Sequence, residues 1–238
     1  MTTALIFAGG TGQRMNTSSK PKQFLELHGK PIIIYTLEHF EYHDAIQNIV
    51  VVCIERWIKE LEGLLGRYGI TKVKVIVPGG ATGHDSIYLG LEAMKSFADA
   101  DDIVLIHDGV RPLINQELIT ENIEAVKKYG NAITCEAARE SVISSIDGEN
   151  VSSVPPRVQM YTAKAPQSFV YRDILRLYET AHQDGVRSID SAHLCSIYHE
   201  AMHLVKSTKN NIKITEPADF YIYRALYEAM EGQQIFGI

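Results

Sequence analysis

Three glycines and three cations crowd one short stretch near the start of the chain. It reads Ala8-Gly9-Gly10-Thr11-Gly12-Gln13-Arg14-Met15, and Lys20-Pro21-Lys22-Gln23-Phe24 follows. Glycine has no Cβ, so backbone N–H groups in such a turn can come close to an anion. Arg14 and Lys22 add positive charge in an irregular loop, and the combination suits the triphosphate of a nucleotide. A dinucleotide fingerprint, G-x-G-x-x-G, would need a third glycine and an immediate helix. Here Gly10-Thr11-Gly12 is followed at the third position by Met15, and Asn16 to Pro21 are loop formers. No Asp or Glu closes the second strand near Cys53-Ile54. A purely structural glycine turn would explain neither Arg14 nor Lys22.

Three more charged positions fit the same chemistry. Asp108 follows the apolar run Ile103 to Ile106. A carboxylate at a strand end beside a phosphate loop is a natural Mg²⁺ ligand, because hard cations take oxygen ligands and bridge phosphates. The alternative is a cap on the next helix, but that helix starts near Asn115. Arg111, three residues on, can pair with Asp108 or clamp a phosphate bidentately; the phosphate is the favoured reading. Lys213 stands between Ile212 and Ile214 in an apolar β run and is read as a catalytic cation.

The elements that must position these residues alternate. Thr3 to Phe7, Ile49 to Ile54, Lys72 to Val77 and Ile103 to Ile106 read as strands. The continuous β-branched runs mark strands covered on both faces. Residues 31–42, Glu55 to Tyr68, Asp85 to Phe97 and Gln116 to Tyr129 read as helices. Alternation of this kind implies βαβ units and an α/β, Rossmann-like, mostly parallel twisted sheet with helices on both faces. The rhythm breaks after Ala138. Ser141 to Pro155 alternates around Asp147-Gly148, a hairpin signal. This projecting β-arm has exposed edges that need a partner, so a homodimer exchanging arms is expected. The pattern then resumes with a strand near Tyr161, helices at 171–183 and 190–201, a strand at 203–214 and a last helix from Ala218. Open parallel sheets bind ligands at the carboxyl ends of their strands. Four segments fall at such ends: the opening loop, Pro78 to Ser86, His107 to Pro112, and Asn210 to Thr215. Their convergence defines a site.

Composition narrows the class. The 238 residues are 45% hydrophobic and 22% charged, which is ordinary for a globular protein. A net charge of −6 argues against nucleic-acid binding and makes any polyanion site local. No apolar run approaches membrane-spanning length and no signal peptide is visible. Cys53, Cys135 and Cys195 are odd in number and widely spaced, as expected of buried free thiols in a reducing cytoplasm. Nine histidines include no metal-spaced cluster, and His193 and His199 read as ordinary helix residues.

Taken together, the motifs resemble the cytidylyltransferases that join CTP to a sugar-alcohol phosphate, a family that includes the methylerythritol-4-phosphate and ribitol-5-phosphate enzymes. The likeness rests on Ala8-Gly9-Gly10-x-Gly12-x-Arg14-Met15, Pro21-Lys22-Gln23-Phe24, Gly79-Gly80 with Ser86, His107-Asp108-x-x-Arg111-Pro112, Ala165-Pro166-Gln167-Ser168-Phe169, and Asn211-Ile212-Lys213-Ile214-Thr215-x-Pro217-x-Asp219. It covers essentially the whole chain, and implies one nucleotidyltransferase domain over 1–238 with a dimerisation arm at about 139–160. It implies further that Phe7, Ala8, Gly9, Gly10, Thr11 and Gly12 hold cytosine and ribose. Gly79, Gly80, Ala81, Thr82, Asp85, Ser86 and Gly109 complete the nucleotide site. Arg14 and Lys22 would neutralise phosphate charge in the transition state. Asp108 would bind Mg²⁺. Arg111 and Lys213 would meet the incoming phosphate, and Arg157 would reach it from the other subunit. Such chemistry needs no general base, because the acceptor phosphate is already an oxyanion.

Gly9 and Val110 resemble the ribitol branch, since the methylerythritol enzymes usually carry Ala at both places. The implied reaction is therefore CMP transfer from CTP to D-ribitol 5-phosphate. The methylerythritol acceptor, a UTP- or GTP-dependent relative and a non-catalytic nucleotide binder are the alternatives. Three positions depart from the family pattern. Gly83 stands where an Arg is usual, a change that bears on the base or ribose contact, with His84 as the neighbouring substitute. Ile189 replaces a hydroxyl residue and bears on the acceptor pocket. Asn210 stands where the methylerythritol branch often has Asp, so no second acidic metal ligand is evident.

Overall fold

A computed structural model describes residues 1–9 and 20–236, with side chains through 232. In chain order the elements are β1 (Thr2–Ala8), β2 (Glu26–Leu27), β3 (Lys30–Pro31), α1 (Ile32–Glu41), β4 (Asn48–Cys53), α2 (Ile58–Tyr68), β5 (Val73–Pro78), α3 (Gly83–Met94) and β6 (Ile103–Asp108). Then come α4 (Gln116–Tyr129), β7 (Asn131–Ala137), β8 (Tyr161–Val170), α5 (Tyr171–Asp184), α6 (Ser191–Ile197), β9 (Leu204–Lys206) and α7 (Pro217–Phe236). Seven strands form one sheet in the order β5-β4-β1-β6-β8-β7-β9, and β2 pairs with β3 alone.

The apolar runs determine this layering. Every residue of β6, and β4 from Ile49 onward, is buried, as strands sandwiched between helices must be. Alternate side chains serve opposite faces. Ala4 and Ile6 of β1 join a core with α1, α2 and α4, whereas Leu5 joins a second core with α3, α5 and α6. A third cluster gathers Ile32, Tyr35, Leu113, Ile214 and Tyr223 beneath α7. The expected mostly parallel sheet with helices on both faces is what forms. β8 runs against β6 and β7 because residues 138–160 return the chain directly beside β7 rather than crossing over.

β1 lies between β4 and β6, parallel to both. The chain travels outward from β1 to β4 and β5, then returns to add β6 on the other side. The crevice between the carboxyl ends of β1 and β6 is therefore the topological switch point. In its register Phe7 faces Asp108 across the ladder.

Several expectations need correction. The hairpin between Ser141 and Pro155 reduces to one isolated bridge, Ser144 to Ser153, closed over Asp147-Gly148. Its side chains are exposed from Ser141 to Val154, and two short strands without a buried face have little to hold them together. The 203–214 strand ends at Lys206; Ile212 and Ile214 pack with the third cluster and make no ladder. The 190–201 helix ends at Ile197, and His199 lies beyond it at φ +57. All three cysteines are buried and free, as read from the sequence. Among the described residues, no helix is long and apolar enough to cross a membrane.

Candidate active site

The carboxyl end of β1 meets the loop after β5 at very close range. A Cβ on Gly79 would stand 3.1 Å from the Gly9 Cα, and one on Gly80 would stand 2.5 Å from the Asp85 Cβ. Only bare backbone fits there. The Gly80 amide donates to Ser86 Oγ at 3.1 Å, and that hydroxyl donates to the Thr82 carbonyl at 2.8 Å. Thr82 caps α3 by accepting from the Asp85 amide, and the Asp85 carboxylate accepts from the Thr82 amide in return. The loop from 79 to 86 is thus fastened from within.

Lys22 is brought to this loop by its neighbours. Gln23 is buried and donates from Nε2 to the Ala8 carbonyl at 2.6 Å, and Phe24 stacks on Trp57 with ring centroids 4.7 Å apart. Opposite stands Asp108, 5% exposed. Its Oδ2 accepts from Arg111 Nε at 2.7 Å, and its Oδ1 lies 2.5 Å from Lys213 Nζ. Burial alone would raise this carboxyl, but the Lys213 and Arg111 cations hold it well below the ordinary carboxylate range. His107 is fully enclosed beside Phe40, and its Nε2 meets the Arg111 carbonyl at 3.1 Å. Burial pushes this imidazole down to about 3, so it is neutral and donates that bond. The Asp108–Arg111 turn is therefore tied at both ends.

Lys213 reaches Asp108 from a loop fastened both to β8 and to the Asp108–Arg111 turn. The Asn211 side chain is buried and donates from Nδ2 to the Ala165 carbonyl at 2.7 Å. Its backbone carbonyl accepts from Arg111 Nη1 at 3.1 Å, and the Ile214 amide donates to the Val110 carbonyl at 3.0 Å. Asp219 accepts from the Thr215 and Glu216 amides and fixes the start of α7.

These pieces enclose a cleft with two lobes. The first, about 330 Å³, is lined by Gly9, Lys22, Gly80, Thr82 and Ser86 among others. The second, about 200 Å³, is lined by Arg111, Lys164, Gln167, Ile189, Asp190 and Ser191 among others. Phe7, Gly83, Asp108 and Lys213 line both, so the Asp108–Lys213 pair stands at their junction. Phe7, Ala8 and Ala81 also face the first lobe, while Gly79, Asp85 and Gly109 support its walls from behind. Gly10, Thr11, Gly12 and Arg14 lie outside the described residues.

Asp108 suits a cation of the Mg²⁺ type: it offers one hard carboxylate, and Mg²⁺ takes one or two carboxylates with phosphate oxygens completing its shell. Its Oδ1 partner, Lys213, is 38% exposed and so able to exchange. No group of three His, Cys, Asp or Glu residues that could hold a metal occurs among the described residues.

The chain as a whole matches one known family. A family model described as IspD: 2-C-methyl-D-erythritol 4-phosphate cytidylyltransferase matches residues 2–229. The chain belongs to this family. Members are nucleotidyltransferases, and so is this chain. It is 50% identical over 238 residues to a ribitol-5-phosphate cytidylyltransferase of Vibrio parahaemolyticus, with 100% of each chain covered. It is 48% identical over 239 residues to a protein of the same name from Streptococcus agalactiae, again with 100% of each covered. Among solved structures, a 4-diphosphocytidyl-2C-methyl-D-erythritol synthase of Anaerococcus prevotii is 26% identical with a TM-score of 0.82, covering 95% of this chain and 96% of that one.

Within this cytidylyltransferase the sequence-derived residues divide. Phe7, Lys22, Gly80, Ser86, Asp108, Arg111 and Lys213 are gathered as expected, with Arg111 paired to Asp108, one of the two partners the sequence offered. Arg157 is exposed in a short turn, bonded to the Arg139 carbonyl at 3.2 Å, away from both lobes of its own chain. His84 does not replace a missing arginine. It is buried, with Nδ1 3.0 Å from Ser188 Oγ and its ring 4.7 Å from Tyr178. A cation that does meet the loop is Arg187, whose Nε donates to Asp85 at 3.3 Å. Ile189 lines the second lobe, where its departure was expected to matter. Lys164, Gln167 and Asp190 were not assigned roles from sequence. Gln167 lies in a quoted motif, but Lys164 is a lone lysine on a strand and carries no local signal.

Proposed function

We propose that this enzyme transfers CMP from CTP to D-ribitol 5-phosphate, giving CDP-ribitol and pyrophosphate. The observation that carries the reading is the cleft of two lobes meeting at Asp108 and Lys213. CTP occupies the glycine-rich lobe, where Gly9 and Gly80 admit the close approach of base, ribose and phosphates. The phosphorylated alcohol occupies the second. One of its phosphate oxygens attacks the α-phosphorus of CTP, the bond from that phosphorus to the bridging oxygen breaks, and pyrophosphate leaves with the electron pair. Lys22, Lys213 and Arg14 neutralise the charge that builds on the transferring phosphoryl group. Arg111 and Lys213 orient the acceptor phosphate. Asp108 would hold a Mg²⁺ ion, which when bound would supply further positive charge to the site.

The ribitol acceptor is supported by the full-length relatives bearing that name and by Gly9 and Val110. A homodimer joined through residues 139–160 would bring Arg157 of a second copy toward the acceptor lobe. The exposed Ile143, Ile146, Val154 and Val158 give that segment apolar surface to cover. The deciding assay is pyrophosphate release from CTP with Mg²⁺ and a panel of ribitol, methylerythritol and other polyol phosphates. Ribitol 5-phosphate is expected to give the highest kcat/KM. Preference for methylerythritol 4-phosphate would refute the acceptor, and no turnover with any would refute the reaction. Omitting the divalent cation is expected to abolish activity.

A further inference from the structure

We infer that Lys164 is a third cation of the second lobe, taking the acceptor phosphate together with Arg111 and Lys213, and that Glu136 is its positioning residue. This rests on the reading of that lobe as the acceptor site. Lys164 lines the lobe, and its Nζ lies 2.9 Å from Glu136 Oε2 and 3.3 Å from the Asn211 carbonyl oxygen. That same oxygen accepts from Arg111 Nη1 at 3.1 Å. Two cations from distant parts of the chain therefore hang on one carbonyl, and Arg111 shares Asp108 with Lys213.

The local fold goes out of its way to place Lys164 there. Ile133 of β7 pairs with Gln167, but Cys135 pairs with Ala163, so the ladder is interrupted at Lys164, Ala165 and Pro166. Bulges of this kind re-aim side chains, and they are common beside active sites. Lysine is seldom drawn this far from water without a reason. Both partners are under a fifth exposed, whereas an ion pair with a purely structural role could sit on the rim. Glu136 also holds Arg139 at 2.5 Å. Of the charged side chains that line the lobe, Arg111, Lys164 and Lys213 are cations and Asp108 and Asp190 are carboxylates.

The test is steady-state kinetics on Lys164→Met, Lys164→Arg, Glu136→Gln and the double variant, with ribitol 5-phosphate and CTP varied separately and thermal unfolding measured alongside. Lys164→Met is expected to raise the acceptor KM by about 10- to 100-fold, the loss of a charge-assisted hydrogen bond, with the CTP KM unchanged. Lys164→Arg should recover part of that loss. Glu136→Gln should raise the acceptor KM less, and adding it to Lys164→Met should cost nothing more, because Glu136 acts through the lysine. An unchanged acceptor KM in Lys164→Met overturns the inference. So does an equal rise in both KM values with a lowered Tm, which marks a structural ion pair. Wild-type enzyme that prefers methylerythritol 4-phosphate, or turns over no polyol phosphate, refutes the proposed function instead, a result visible before any variant is made.

Discussion

The two lobes of the cleft are built on opposite plans. The first is shaped by backbone: Gly9 and Gly79 pack closely, a Cβ on Gly80 would stand 2.5 Å from the Asp85 Cβ, and Ser86 ties the loop to its own helix. The second is shaped by long side chains, with Arg111, Lys164, Gln167 and Asp190 on its walls. A backbone mould resists substitution where a Cβ would meet backbone, as at Gly80. A wall of side chains can be redrawn one residue at a time. If the first lobe holds the nucleotide and the second the acceptor, as proposed, the difference would let a family keep one nucleotide while its members' names point to different phosphorylated alcohols.

That contrast breaks most visibly at the junction. Lys213 belongs to both lobes, so Lys213→Ala is expected to lower kcat by 10²-fold or more while moving both KM values little, as loss of a transition-state contact does. A rise in a single KM at normal kcat would assign Lys213 to one lobe. The backbone mould comes next. A Cβ in Gly80→Ala would meet the Asp85 Cβ and backbone, and overpacking of this kind costs about 1–3 kcal/mol. If the loop yields, the CTP KM should rise roughly tenfold or more while the acceptor KM holds, the reverse of the Lys164→Met pattern. Equal effects on both substrates would erase the distinction between the lobes.

The smallest expected effect concerns pH. His84 underpins the first lobe as a buried neutral imidazole, and burial lowers its proton affinity from the ordinary 6.5. The unfolded chain then binds the proton more tightly than the folded one. The stability this gives is fully present above pH 6.5 and is lost as pH falls below it. Thermal melts of wild type should therefore fall more steeply between pH 7 and 5 than those of His84→Gln. Parallel slopes would show that this residue does not titrate in that window.

The first lobe was readable in the sequence because its determinants are local: glycines and a capping threonine directly after apolar strands. Asp108 and Arg111 were readable for the same reason, at the end of a wholly buried strand. Lys213 was found but misplaced. Ile212 and Ile214 imitate strand alternation, yet they bury against Tyr223 and its neighbours, and only the third cluster beneath α7 reveals this. The sequence left Arg111 between Asp108 and a phosphate, and the turn that His107 closes brings it to Asp108. Lys164 was missed altogether. Its significance comes from a bulge in β8 and from Glu136 on the adjoining strand, and neither leaves a mark near position 164. Residues 138–160 kept the turn that composition announced but not the strands, since alternation without a buried face does not hold a ladder.

Phe7 and Asp108 sit opposite each other on adjoining strands, and this pairing limits how the gene can change in length. One codon gained or lost within β1 or β6 would slide the carboxylate about 3.3 Å along its neighbour and turn it to the other side of the sheet. The stretch from 138 to 160 carries a single backbone bridge and can lengthen or shorten without disturbing any strand. Insertions and deletions among natural copies of this enzyme should therefore collect there and spare the two central strands.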